Sequence, residues 1–109
     1  MLKEKYDLRY LPLFNDELTR DVSYIAFKLG NPNAANALLD LVEAAILKRL
    51  EEGPESYEPV FSRKDRKYPY YRIYVKNYII YYVVIEENGR KIMEVRRFFH
   101  TLEDRDNKI

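Results

Sequence analysis

The sequence predicts an α+β domain, in which an N-terminal helix hairpin packs on one face of an antiparallel four-stranded sheet in the order β-α-α-β-β-β. The first observation behind this prediction is a succession of three β-rich runs between residues 70 and 99, separated by Lys76-Asn77 and by Glu87-Asn88-Gly89. The second is a pair of runs between residues 15 and 51, in which apolar residues recur every three or four positions, as on one face of a helix.

The segment before the helices predicts a strand over residues 5–11, because apolar or aromatic residues alternate there with charged ones. Pro12 ends this strand, and Asn15 or Asp16 is expected to cap the first helix, over residues 15–29. Gly30 ends the helix. The apolar face of this helix consists of Leu18, Val22, Ile25 and Leu29.

The second helix is predicted over residues 32–51, because Asn31-Pro32-Asn33 suits a first helical turn and Gly53-Pro54 ends the pattern. The short connection predicts an antiparallel hairpin, whose apolar faces both pack on the same side of the sheet. The apolar face of this helix consists of Leu38, Val42, Ala45, Ile46 and Leu50. Residues 51–69 are predicted to form a polar loop. The basic run at residues 63–67 is either solvated or contacts phosphate groups of a ligand.

The three strands that follow are predicted over residues 70–76, 78–86 and 91–99. The middle one is apolar or aromatic at every position from Tyr78 to Ile85, so it is expected to lie centrally with both faces covered. Only the N-terminal half is expected to supply that cover. In the last strand, Arg96 and Arg97 would point to opposite faces, so a bulge or strand end is expected beside them.

The first of these strands has two different sides. Alternation places one set in the core, namely Tyr71, Ile73 and Val75. The other set predicts an open aromatic and basic face, namely Tyr70, Arg72, Tyr74 and Lys76.

Composition indicates a single domain over residues 1–109 with no disulfide, no cofactor and no metal site, since there is no cysteine and one histidine. No apolar stretch is long enough to span a membrane, so a cytoplasmic protein without a membrane partner is expected. Residues 1–62 carry 7 Lys/Arg against 11 Asp/Glu, whereas residues 63–109 carry 12 against 7. The excess of positive charge in the half that forms the sheet indicates an acidic partner. The alternative is that lysine and arginine at the strand edges only keep the protein soluble.

In order and spacing, these features resemble the RelE/ParE superfamily of bacterial toxins from type II toxin–antitoxin modules. The resemblance covers nearly the whole chain. It depends on a tyrosine-containing first strand, the helix pair joined by GNPNAA, the closing Gly-Pro, and the segments YYRIYVKNYIIYYVV and EVRRFFHTLEDRD. It implies a growth inhibitor that a cognate antitoxin neutralises, either by inhibiting DNA gyrase, as ParE-like members do, or by cleaving mRNA on the ribosome, as RelE-like members do.

The resemblance also implies which residues would act. If the chain is a nuclease, Arg72, Arg97 and His100 match positions of the catalytic face. If it is a binder, the contact to the target or to the antitoxin involves Arg72, Tyr74, Lys76, Arg96, Arg97 and His100. Nucleases of the superfamily carry an arginine early in the central strand, where this chain has Ile79, and the RelE branch has a tyrosine after the last strand, which LEDRDNKI lacks. These departures favour a ParE-like gyrase inhibitor. The alternatives are a RelE-like mRNA interferase and a degenerate domain that only binds antitoxin.

Overall fold

The computed structural model describes residues 5–60 and 67–103, so part of the basic run and the tail from residue 104 lie outside the described residues. The element order β-α-α-β-β-β is confirmed. The elements are β1 (Tyr6–Tyr10), α1 (Pro12–Ser23), which continues into a π-helical turn (Tyr24–Lys28), α2 (Pro32–Glu52), β2 (Tyr71–Val75), β3 (Tyr78–Glu87) and β4 (Arg90–His100). No helix in the described ranges is long and apolar enough to cross a membrane.

Helix α1 begins at Pro12, three residues before the predicted start, so the expected caps Asn15 and Asp16 lie inside the helix. Proline suits the first helical position because its fixed φ matches the helix and its missing N–H would have no partner there. Helix α2 begins as predicted, since the Asn31 side chain accepts a hydrogen bond from the backbone N–H of Ala34 at 3.1 Å.

The sheet has the order β1-β4-β3-β2, and it is mixed. Strands β2, β3 and β4 pair antiparallel, but β1 pairs parallel with β4, from Tyr6 opposite Lys91 to Tyr10 opposite Val95. The prediction of a purely antiparallel sheet is therefore wrong for one strand. Two-residue turns force the antiparallel direction on β2, β3 and β4, whereas the direction of β1 depends on the helices and strands that separate it from β4.

The helices pack on one face of the sheet, as predicted. The centre of that layer consists of Phe14, Leu38, Val42 and Ile46 from the helices and of Tyr71, Ile73, Val75, Ile80, Tyr82, Val84, Met93, Val95 and Phe98 from the strands. The predicted residues of the first helix, Leu18, Val22 and Ile25, pack at the margin of this cluster. We call this side of the sheet the helix face.

The opposite face of the sheet is also covered. It carries a second buried cluster, which consists of Tyr70, Ile79, Tyr81, Val83, Ile85 and Phe99. Val60 and Tyr68 pack against this cluster, and the Val60 N–H donates to the Tyr70 carbonyl at 2.7 Å. The expectation that only the N-terminal half covers β3 is therefore wrong, as is the open position expected for Tyr70. Isolated apolar residues in a polar segment leave no periodic signal.

A β-bulge interrupts the β3–β4 ladder where it was expected. Tyr81 lies opposite Arg97 and Tyr82 lies opposite Val95, so Arg96 is the extra residue on β4. The bulge changes the alternation of β4, and as a result Val95 and Phe98 both reach the helix-face cluster.

Shortening Val42 to alanine should lower the free energy of unfolding by about 1–3 kcal/mol, because Val42 is 2% exposed and its removed methyl groups leave a cavity between α2 and the sheet. The control is Leu41→Ala on the same helix, since Leu41 is 40% exposed. Urea denaturation of both variants tests the placement. Equal losses would contradict it.

Candidate binding surface

The six residues that the sequence predicts for the site do not all lie on the same face of the sheet. Arg72, Tyr81 and Arg97 are cross-strand neighbours on the face away from the helices, where Tyr81 belongs to the second cluster. His100 lies opposite Tyr78, which packs against the helix-face cluster. His100 and Arg72 therefore lie on opposite faces of the sheet, and the two cannot act on one small group.

Arg97 is engaged by an acidic residue of α1. Its Nε and Nη2 donate to the Glu17 carboxylate at 3.0 and 2.8 Å, and the Phe98 N–H donates to the same carboxylate at 3.0 Å. Strand β1 ends opposite Val95, so the Glu17 side chain satisfies the edge of β4 beyond that point. Hydrogen bonding to Glu17 raises the pKa of Arg97 above its usual value. This ion pair is mostly buried, with side-chain exposures of 18% and 8%.

Arg96 is also paired. Its Nε donates to Glu94 at 2.7 Å, and Glu94 accepts a second hydrogen bond from Arg9 Nε at 2.9 Å. Burial acts to lower the pKa of Arg96, but hydrogen bonds to Tyr70 and Glu94 outweigh it and the pKa is raised. The buried Glu94 carboxylate thus holds two arginines, and Arg72 is not one of them.

Arg72, Tyr74 and Lys76 lie on or next to the edge strand β2. The Arg72 guanidinium lies 5.6 Å from the centroid of the Tyr74 ring, and Tyr74 is 58% exposed. Lys76 is exposed in the β2–β3 turn with φ +52°. Within residues 5–60 and 67–103, neither cation forms an ion pair with a carboxylate.

His100 closes the end of β4 through local bonds. Its Nδ1 accepts a hydrogen bond from the Leu102 N–H at 3.1 Å, and its backbone N–H donates to Glu103 at 3.0 Å. The ring stands edge-on to Tyr78, with centroids 5.2 Å apart. This arrangement ties down the turn after the strand.

Ile79 is 1% exposed inside the second cluster, next to Phe99 on β4. The resemblance to the superfamily implies that its nucleases carry arginine at this position. An arginine at position 79 would be buried among apolar side chains, at a cost in free energy that isoleucine avoids.

Arg49 has a role that no pattern in the sequence predicts. The Arg49 guanidinium lies 3.4 Å from the Tyr57 ring centroid, and its Nη1 donates to the Tyr82 hydroxyl at 2.9 Å and to the Arg72 carbonyl at 3.3 Å. The Tyr82 hydroxyl in turn donates to the Pro54 carbonyl at 2.7 Å. The spacing of residues in the sequence does not indicate these distant partners of Arg49.

An apolar groove of about 540 Å³ lies on the helix side. Its lining combines apolar side chains with two carboxylates at Asp40 and Glu43, and consists of Tyr10, Phe14, Asn15, Leu18, Leu39, Asp40, Val42, Glu43, Ile46 and Leu47. Burial raises the pKa of the Tyr10 hydroxyl, and the nearby Glu43 charge adds to this. No group of three or more metal-ligating side chains occurs in the part of the chain that the structure describes.

A mixed four-stranded sheet with a helix hairpin on one face defines a small α+β domain. The chain belongs to the family described as ParE toxin of type II toxin-antitoxin system, parDE, whose model matches residues 8–105. It is therefore a toxin of a type II toxin–antitoxin system, as its resemblance to the RelE/ParE superfamily indicated, and an antitoxin is implied as its partner. No curated protein and no solved structure matches the chain.

Proposed function

We propose that this toxin inhibits growth by binding DNA gyrase and does not cleave RNA. The observation that carries the proposal is the separation of His100 from Arg72 by the sheet. Cleavage at a 2′-hydroxyl needs a base, an acid and a cation around one phosphate. In this chain, the only histidine lies on the helix face and its Nδ1 already accepts a backbone N–H.

The state of the arginines also favours a binder. Arg97 donates to Glu17, and Arg96 donates to Glu94, so both positive charges are neutralised inside the protein. Ile79 occupies the place of a further arginine and is buried. The cations that stay available, Arg72 and Lys76, suit attraction to an acidic surface more than catalysis at one atom.

The antitoxin is proposed to use a different surface. The groove on the helix side is apolar and open, which suits the apolar face of an amphipathic helix from the antitoxin. The carboxylates of Asp40 and Glu43 at this groove favour a segment with lysine or arginine beside its apolar residues. Target and antitoxin would then contact different faces of the toxin.

One observation keeps the mRNA interferase as a second candidate. Arg72 and Lys76 have no carboxylate partner in the described ranges, and cations without such a partner can bind a phosphate. Purified toxin, incubated with gyrase and relaxed plasmid and separately with ribosomes and mRNA, distinguishes the two targets. Inhibition of supercoiling with intact transcripts is the expected result, and a degenerate domain would do neither.

Replacing His100 by glutamine should leave growth inhibition and supercoiling inhibition unchanged, because glutamine keeps a polar side chain of similar reach at the strand end. In a nuclease the same change would remove general acid–base help, which is worth about 10²–10⁴ in rate. The measurement compares parent and His100→Gln in a growth assay and in transcript cleavage. If the parent cleaves transcripts at specific sites and the variant does not, the proposal of gyrase binding is wrong and the toxin is an mRNA interferase.

A further inference from the structure

The six basic residues of the strands differ in whether they form an ion pair with a carboxylate. Five of the six form an ion pair with a carboxylate at 2.6–2.8 Å, namely Arg9 with Glu87, Arg90 with Asp7, Lys91 with Glu55, Arg96 with Glu94 and Arg97 with Glu17. The exception in the described part of the chain is Arg72, on the edge strand β2. We propose that the surface formed by Lys67, Arg72, Tyr74 and Lys76, which we call the β2 patch, binds single-stranded DNA.

The β2 patch combines an exposed aromatic ring with cations that no carboxylate of the described residues neutralises. Tyr74 is 58% exposed, its ring centroid lies 5.6 Å from the Arg72 guanidinium, and Lys76 follows in the turn. Arg72 and Tyr74 project from the same side of β2, about 7 Å apart along the strand. Proteins that bind single strands combine stacking rings with cations along the backbone in this way.

A second pair of a lysine and a tyrosine ring lies on the same side of the sheet. The Lys67 ammonium lies 5.3 Å from the Tyr68 ring centroid, and Tyr68 packs against the second cluster, on the same side of the sheet as Tyr74. Lys67 is exposed and forms no ion pair with a carboxylate of the described residues. The β2 patch and the adjacent Tyr68 ring therefore offer two aromatic rings and three cations to a ligand.

These groups favour an unpaired strand over the other acidic ligands. In a duplex the bases stack on each other, so the Tyr74 ring would have no base to contact. An acidic peptide would use the cations but would gain little from the rings. The biological setting rests on the proposed gyrase target, an enzyme that acts on DNA, but binding of a strand can be measured without gyrase.

The test is fluorescence anisotropy of a labelled twelve-residue oligo(dT) at low salt. Replacing Tyr74 by isoleucine keeps a high β propensity and removes the ring, so affinity should fall about tenfold, since stacking on an aromatic ring is worth about 1–3 kcal/mol per base. Tyr74→Phe keeps the ring and should bind like the parent. Melting temperatures of both variants confirm that they are folded.

A charge-matched pair of variants tests the cation. Arg72→Gln should weaken binding several-fold and reduce the slope of log affinity against log salt by about 0.7, as expected for one lost phosphate contact on a single strand. Arg90→Gln removes the same charge from a residue that is paired with Asp7 at the other end of β4, so its affinity and slope should match the parent.

Three outcomes would overturn the proposal: equal affinities of parent and Tyr74→Ile, tighter binding of oligo(U) than of oligo(dT), and equal or better binding of a glutamate-rich peptide that depends on Arg72. The second would indicate RNA as the ligand, and the third would indicate an acidic protein segment. If the toxin binds oligo(dT) as expected but does not inhibit supercoiling, the gyrase proposal is wrong and the β2 patch is still a DNA-binding site.

Discussion

The variant Arg97→Glu should lose about 3–5 kcal/mol of unfolding free energy, the range measured when one partner of a buried ion pair is removed. The change places a second carboxylate about 3 Å from Glu17, in a site where the native side chains are 18% and 8% exposed. It also disturbs the acceptor of the Phe98 N–H. Urea denaturation near neutral pH measures the loss.

The matched control is Arg90→Glu. The Arg90–Asp7 pair has the same bidentate geometry, with both distances at 2.8 Å, but its side chains are 71% and 46% exposed. Water screens exposed pairs, so the loss at this site should be much smaller than the loss at Arg97. The double variant Arg97→Glu with Glu17→Gln should recover part of the loss, because it removes the repulsion. Equal losses for the two single variants would contradict the buried role of Glu17.

This prediction affects how Arg97 is tested as a target contact. Charge reversal at Arg97 is also expected to abolish toxicity if the residue binds a target, but an unfolded toxin is equally inactive. A loss of activity at Arg97 therefore assigns a contact only if the variant melts like the parent. Arg72 is a cleaner probe, since no ion pair in the described part of the chain depends on its side chain.

The variant Tyr82→Phe should lose about 1–3 kcal/mol at neutral pH, because the Pro54 carbonyl loses its donor and Arg49 loses one acceptor in a buried site. Its effect should also depend on pH. Burial raises the pKa of Tyr82 to about 12 in the folded protein, against about 10 for an unperturbed tyrosine.

The neutral hydroxyl is thus favoured by folding, so its contribution is fully present below pH 10 and is lost as the pH rises through 12. The parent should lose roughly 2 kcal/mol more than Tyr82→Phe between pH 10 and pH 12. The other tyrosines with raised pKa titrate in both proteins, and the difference isolates Tyr82. The exposed Tyr74→Phe serves as control. Parallel stability curves for parent and Tyr82→Phe would refute the role of the hydroxyl.

Several elements were predictable because local patterns encode them. The run from Tyr78 to Ile85 is apolar on both faces and forms β3, which has a neighbouring strand on each side. Adjacent arginines predicted the bulge at Arg96. Helical spacing identified Leu38, Val42 and Ile46, which are all buried against the sheet. In each case the residues that decide the structure lie within a few positions of one another.

The candidate site was predictable as a set of residue types, but not as an arrangement. Alternation along β2 placed Arg72 and Tyr74 on one side, and they are neighbours in the structure. Nothing local placed His100 on the helix face, because the bulge at Arg96 changes the alternation of β4 before its end. A single extra residue in a strand moves every later side chain to the other face.

The sequence by itself determined the class of the fold, the central strand, the packing of both helices on one face and the family of the protein. Only the tertiary structure decided the parallel direction of β1, the cover of the second face by Val60 and Tyr68, and the pairing of Glu17 with Arg97. Glu17 and Arg97 lie 80 positions apart in the chain. Periodicity reports which side of an element is apolar, but the partner of a charged side chain is set by which elements pack together, and that depends on the whole chain at once.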